Sequence, residues 1–375
     1  ADGQKASLTI DTTNVTISDS VKVLGGGVIG GSLAKGTGAG NATVDVTKAN
    51  TTILGGTQIA GVVGGGVAEN YGTATGKVSS SVTESQLTIS GGTIDALRYG
   101  AQISDDGETA SKAAVVGGGV ASAKGTGTIT SSVTTANTTI NGGTINGDVY
   151  AGGMADGAGA QANVDNASLT IKGGEINGNI YAGGYALNAG TATVANATVT
   201  FDGNSSFAKT VQGGNATNST LLAFTNYNGT FDGQVVGFTK LDVAEGSTLK
   251  LQTLSTGTTA EKKAGVFNNN ALTLTGAGNV EADAVNVVAD KGLTIQNGTL
   301  TVTGSLKSAE DGDGTDGINV SGNGVLTAAN NLLVTNTDGT IAIADDLKKL
   351  YLGQGGTLAV TGLASISTTD MQQYR

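Results

Sequence analysis

Cysteine, histidine, proline and tryptophan are all missing from the 375 residues. Without cysteine there are no disulfides and no thiolate metal sites. Without histidine the usual base of a serine hydrolase is lacking, and no Gly-x-Ser-x-Gly elbow compensates. The absence of proline, together with the lack of a strict every-third glycine, excludes collagen. No uninterrupted apolar run approaches the roughly 18 residues that a membrane-spanning helix needs. Aromatic residues make up only 4%, too few for the interfacial girdles of an outer-membrane barrel. Cations are scarce as well: 19 against 30 carboxylates, for a net charge of −11, with Arg98 and Arg375 the only arginines. A nucleic-acid binder carries the opposite footprint, so that class is excluded.

What the chain has in excess is glycine, 63 of 375 residues, about 17% against a usual share near 7%. The glycines recur in a pattern. Gly142-Gly143-Thr144-Ile145-Asn146-Gly147-Asp148-Val149-Tyr150-Ala151-Gly152-Gly153 returns 31 residues later as Gly173-Gly174-Glu175-Ile176-Asn177-Gly178-Asn179-Ile180-Tyr181-Ala182-Gly183-Gly184. A repeat of this size marks a solenoid. Strand endings of the Thr-Ile type fall at Ile17, Ile53, Ile89, Ile140 and Ile171, with gaps of 36, 36, 51 and 31. Each is followed by a Gly-Gly or similar turn, then by segments such as Val62-Val63-Gly64-Gly65-Gly66 and Val115-Val116-Gly117-Gly118-Gly119. Three strands per unit are recognisable.

Short alternating strands cannot bury their apolar face alone, whereas stacked coils bury a continuous core. The pattern therefore predicts an all-β fold, a parallel β-helix. The strict six-residue period of left-handed forms is missing, which selects the right-handed one. We expect one continuous, elongated solenoid with two textures, glycine-rich over 1–217 and less so over 218–375. In the second part, strands such as Leu249-Lys250-Leu251, Leu272-Thr273-Leu274 and Leu293-Thr294-Ile295 are spaced 23 and 21 residues apart. Five of the six phenylalanines lie between 207 and 267, predicting a better-filled core there. Carboxylates followed by lysines predict a short helix over 345–351.

The 221–251 stretch, with Leu272-Thr273-Leu274-Thr275-Gly276 and Gly298-Thr299-Leu300-Thr301-Val302-Thr303-Gly304, resembles the β-helix of autotransporter passenger domains. The glycine-rich units look like repeats of the same broad family. The resemblance implies export across a Gram-negative outer membrane by a C-terminal β-barrel, and an extracellular or cell-surface location. Absence of cysteine agrees with that route. The family includes adhesins, self-associating factors, proteases and esterases, so membership leaves the activity open. The start at Ala1-Asp2-Gly3 fits a mature form after signal cleavage and equally a trimmed piece.

Several residues are candidates for a site. Between Arg98-Tyr99 and Val115 lies an extra polar segment. There Asp105, Asp106 and Glu108, with Arg98 and Lys112, form either a carbohydrate-active set or a hydrated loop. Asp311, Asp313 and Asp316 fit a calcium-binding nonapeptide at every place but the first. Such sites form between stacked copies and only one copy occurs, so a solvated acidic loop is the competing reading. Tyr150 and Tyr181 occupy equivalent places one unit apart, with Tyr99 aligned as a third. If Val149 and Ile180 point inward, alternation puts the tyrosines outside as a ladder. That ladder either binds sugar rings or another copy of the chain, or simply stabilises the sheet.

The expected function is structural and adhesive: no catalysis, no required cofactor, and partners that are further copies of the chain or cell-surface glycans. A self-assembling filament or surface layer and a polysaccharide-cleaving β-helix enzyme are the alternatives.

Overall fold

The structure, a computed structural model, describes residues 5–18, 20–23, 27–96, 113–214, 216–257, 265–269, 271–288, 291–308, 317–329, 333–335, 341–343 and 350–361. Among these there is no helix; the fold is an all-β parallel β-helix. It divides into two units, residues 1–200 with 211–220, and residues 201–210 with 221–375.

In the first unit five successive coils have four strands each, one more than the sequence pattern exposes. A coil opens with a twelve-residue strand. In these five coils the long strands are Ala6–Ile17, Ala42–Ile53, Val78–Ile89, Ile129–Ile140 and Ala160–Ile171, and Thr191–Asp202 is a sixth strand of the same length beside the last of them. They stack in parallel, and their terminal isoleucines pair in one line, Ile17 with Ile53, Ile53 with Ile89, Ile89 with Ile140 and Ile140 with Ile171. The unequal gaps of 36, 36, 51 and 31 residues are thus absorbed outside the strands. From the second long strand onward, inward positions carry Val, Ile, Leu and Ala with some Ser and Thr, such as Ser80, Ser85, Ser131 and Thr138, and become buried, while outward positions are mostly Thr, Asn and Ser.

A short second strand follows, for example Gln58–Ile59 or Thr144–Asn146. The corner before it needs a left-handed backbone, which Gly92 (φ 85°), Gly143 (φ 95°) and Gly174 (φ 91°) supply. The third and fourth strands flank the glycine triplet, as in Val62–Val63 and Val67–Asn70. Here glycine is required by close approach. A Cβ on Gly118 would stand 2.7 Å from Val164 Cγ2 and 2.9 Å from the Gly152 carbonyl oxygen of the next coil. The turn therefore lies directly on the long strand, which a side chain would prevent.

The second unit also stacks in parallel. One ladder runs through Lys240–Val243, Leu272–Leu274, Leu293–Ile295, Ile318–Val320 and Leu350–Leu352. Another joins Thr248–Thr256, Asn279–Val287, Thr299–Ser308, Val325–Ala329 and Thr357–Thr361. Leu272 pairs with Leu293, as the 21-residue spacing expects. Leu249 pairs with Val280 instead of Leu272, because Leu249 and Leu272 belong to different ladders. Phe201, Phe207, Phe224, Phe231 and Phe267 form one cluster of stacked and edge-to-face rings, so their proximity in the sequence becomes contact in the core.

Leu350 and Tyr351 do not continue a helix. They lie in the strand Leu350–Leu352, paired with Ile318–Val320. Helical charge placement at 345–349 is a local preference, and parallel pairing with an existing ladder overrides it at 350–352; residues 344–349 lie outside the described residues.

Candidate functional site

Register decides which residues meet. The third strands of successive coils place Val63 beside Val116, Val116 beside Tyr150 and Tyr150 beside Tyr181. The fourth strands place Val67 beside Val120, Val120 beside Met154 and Met154 beside Tyr185. These two columns face each other across the glycine turns. Together they form a cluster of Val63, Val67, Ala113, Val116, Val120, Tyr150 and Met154, with Ile29, Tyr181 and Tyr185 packed against it. A separate cluster of small residues, including Ala68, Ala121 and Ala155, packs the opposite face of the fourth strands onto the starts of the long strands.

This arrangement corrects the outward tyrosine ladder. Strand alternation does separate Val149 from Tyr150, but both faces of Asp148–Tyr150 are covered, and Tyr150 is only 1% exposed. The glycine turn folds the fourth strand back, so a nominally outward side chain meets Met154 and Tyr185. Tyr181 and Tyr185 are half-buried. The ladder itself exists: the Tyr150 and Tyr181 rings stack with centroids 4.6 Å apart and planes 9° apart. Its third ring is Tyr185, 5.2 Å from Tyr150 and 6.4 Å from Tyr181. Val116 takes the place opposite Tyr150 to which sequence alignment assigned Tyr99; Tyr99 itself lies outside the described residues. Tyr185 was missed because its column reads Val, Val, Met, Tyr, with no repeated aromatic to flag it.

The polar groups around the rings are few. The Tyr150 hydroxyl donates to Asp148 Oδ2 at 3.5 Å, and Asp148 Oδ1 accepts the Asn179 backbone N–H at 2.7 Å. Asn179 Nδ2 donates to the Tyr181 hydroxyl oxygen at 3.5 Å. Burial, with the Asp148 carboxylate second, pushes the Tyr150 phenol far above its ordinary value. Tyr181 is raised for the same two reasons, partly offset by the Asn179 amide.

No family model, curated protein or solved structure matches this chain.

The remaining sequence candidates, Arg98, Asp105, Asp106, Glu108, Lys112, Asp311, Asp313 and Asp316, lie outside the described residues. Among the described residues no cluster of three acidic side chains is disposed to hold a metal ion.

The outward face of the long strands carries what the tyrosines do not, an accessible array of repeated groups. Thr16, Thr52, Thr88, Thr139 and Thr170 form one row, and Asn14, Asn50, Gln86, Asn137 and Ser168 the next. Neighbours within a row are about 4.8 Å apart and the two rows about 6.7 Å apart. None of these ten side chains is charged. Asn50 Nδ2 donates to Asn14 Oδ1 at 2.9 Å, so amides already bond along the row. Similar ladders run from Asn177 to Asn146 to Asp95 (3.1 and 2.9 Å) and from Asn196 to Asn166 (3.1 Å). Charge on the long-strand face includes the Lys48–Glu84 pair, 3.6 Å apart and exposed enough to contribute little.

Proposed function

We propose that this chain is the β-helical part of an exported, surface-displayed structural protein that associates side by side with copies of itself. The contact surface in this reading is the outward face of the long strands in the first unit.

One observation carries it. A chain of net charge −11 repels its own copies, yet ten outward side chains in two adjacent rows are uncharged hydrogen-bonding groups in unbroken register over five strands. Such a grid presents repeated donors and acceptors that a second, identical grid can match, and many weak contacts in a row sum to useful avidity. The resemblance to autotransporter passengers and the lack of cysteine support the exported setting.

The test is sedimentation velocity over a concentration series, on the protein and on a Thr88→Lys, Thr139→Lys double variant. These two residues are register neighbours. We expect concentration-dependent association in the parent and a monomer in the variant, with the far-ultraviolet spectrum of both unchanged. A parent that stays monomeric throughout sinks the reading. End-to-end filaments in negative stain, unaffected by the lysines, would move the contact from the face to the ends.

A further inference from the structure

We propose that Tyr150 and Tyr181 form an oxidative coupling site, at which a one-electron oxidant joins the two rings as dityrosine and staples neighbouring coils together. The inference is independent of how the long-strand face is used.

Cysteine, histidine and tryptophan are absent, so the readily oxidised side chains of this protein are its eight tyrosines and two methionines. Three of those tyrosines and one methionine meet in a single cluster, Tyr150, Tyr181, Tyr185 and Met154. Parallel register sets Tyr150 and Tyr181 side by side, and their rings stack at 4.6 Å. The two phenol rings therefore already lie stacked, nearly parallel, before any reaction. Tyr181 is half-buried and open to an external oxidant, whereas Tyr150 is enclosed. Oxidising equivalents enter at Tyr181 and pass to Tyr150 through the ring contact.

The chemistry balances with hydrogen peroxide and a haem peroxidase as the external oxidant. Each phenol loses one electron and one proton to become a phenoxyl radical. Asp148 Oδ2, 3.5 Å from the Tyr150 oxygen, is placed to take that proton. The proton of Tyr181 leaves to solvent, since Asn179 Nδ2 donates to the Tyr181 oxygen and does not compete for it. The two radicals join by a new carbon–carbon bond ortho to the oxygens, and the two displaced ring hydrogens move to the phenolic oxygens. Two electrons and two protons reduce one peroxide to two waters. The result is a covalent link between residues 31 apart in sequence, which limits the unfolded chain as a disulfide would.

The experiment treats the whole chain with peroxidase and hydrogen peroxide at low protein concentration, followed by dityrosine fluorescence, intact mass and peptide mapping. The expected result is blue fluorescence, a monomer lighter by two hydrogen atoms, and a linked peptide pair containing Tyr150 and Tyr181. Tyr181→Phe and Tyr150→Phe each abolish the link while preserving ring volume, and Tyr185→Phe retains it. Cross-linked dimers as the main product, a link that maps to another tyrosine pair, or oxidation confined to Met154 as its sulfoxide would each overturn the proposal. So would fluorescence that persists in Tyr181→Phe.

Discussion

Tyr150 and Tyr181 sit one above the other on adjacent coils, rings parallel to within 9°, because Val149–Tyr150 pairs with Ile180–Tyr181 without a register shift. The same stack has a buried end and a half-buried end, and that asymmetry separates their roles.

Tyr150 is core. Removing its ring leaves a cavity beside Met154 and Val116, and Tyr150→Ala should cost about 3–5 kcal/mol, as large aromatic truncations do. Tyr181→Ala should cost clearly less, because part of its ring already meets water. Urea midpoints of the two variants check the order; equal midpoints would contradict the burial difference.

Glycines at the two kinds of corner should respond differently to alanine. Gly118→Ala drives a methyl against Val164 Cγ2 and the Gly152 carbonyl, an overpacking expected to cost about 1–3 kcal/mol. Gly203→Ala meets nothing within 4 Å, and only its φ of 90° opposes it, a cost of about 1–2 kcal/mol. Adding Val164→Ala should recover part of the loss in Gly118→Ala and none in Gly203→Ala. Thermal melts of the four variants decide this.

Alkaline pH should weaken the fold in a defined window. Burial, then the nearby Asp232 carboxylate, pushes the Tyr227 phenol up to about 12 from 10.0. Tyr150 and Tyr181 are raised too. A raised folded value means that the unfolded chain releases its proton first. The stability is fully present below pH 10 and falls as the pH rises toward 12, by about 1.4 kcal/mol per pH unit for each fully buried phenol. Denaturation midpoints between pH 9 and 12 should bend downward near 10, and Tyr227→Phe should make the bend shallower. A flat profile would remove the linkage.

The phenylalanine cluster should dominate the second unit. Phe231 touches the rings of Phe201, Phe207, Phe224 and Phe267 and is 1% exposed. Phe231→Ala should cost about 3–5 kcal/mol, whereas Glu281→Gln, which breaks the exposed 2.8 Å pair with Lys250, should cost less than about 1. Hydrogen-exchange protection of the Thr248–Thr256 strand reports both.

The β-helix was legible because its causes are local and periodic. Alternation in Val78–Ile89 or Ile129–Ile140 names the inward side chains within each half of the strand, on either side of a one-residue phase change at 83–84 and 134–135. The recurring Thr-Ile endings name the register, and the structure pairs those isoleucines as the spacing implies. Gly143 and Gly174 announce corners that need positive φ. Where local preference and pairing disagreed, as at Leu350 and Tyr351, pairing prevailed.

Burial of the tyrosines was not legible. Alternation tells which side of a strand a residue leaves from, but not what stands opposite. The sequence by itself determined a coil template: which residues form strands, where the corners fall, and that Tyr150 and Tyr181 recur at one position. Only the tertiary structure decided that the Ala151-Gly152-Gly153 turn folds the fourth strand back over the third, enclosing Tyr150 against Met154 and bringing Tyr185 to it. The physical reason is that this contact joins residues through a turn whose geometry depends on packing against the next coil, where Gly152 lies against Val194 and the Gly183 carbonyl, and no period within one unit records that neighbour.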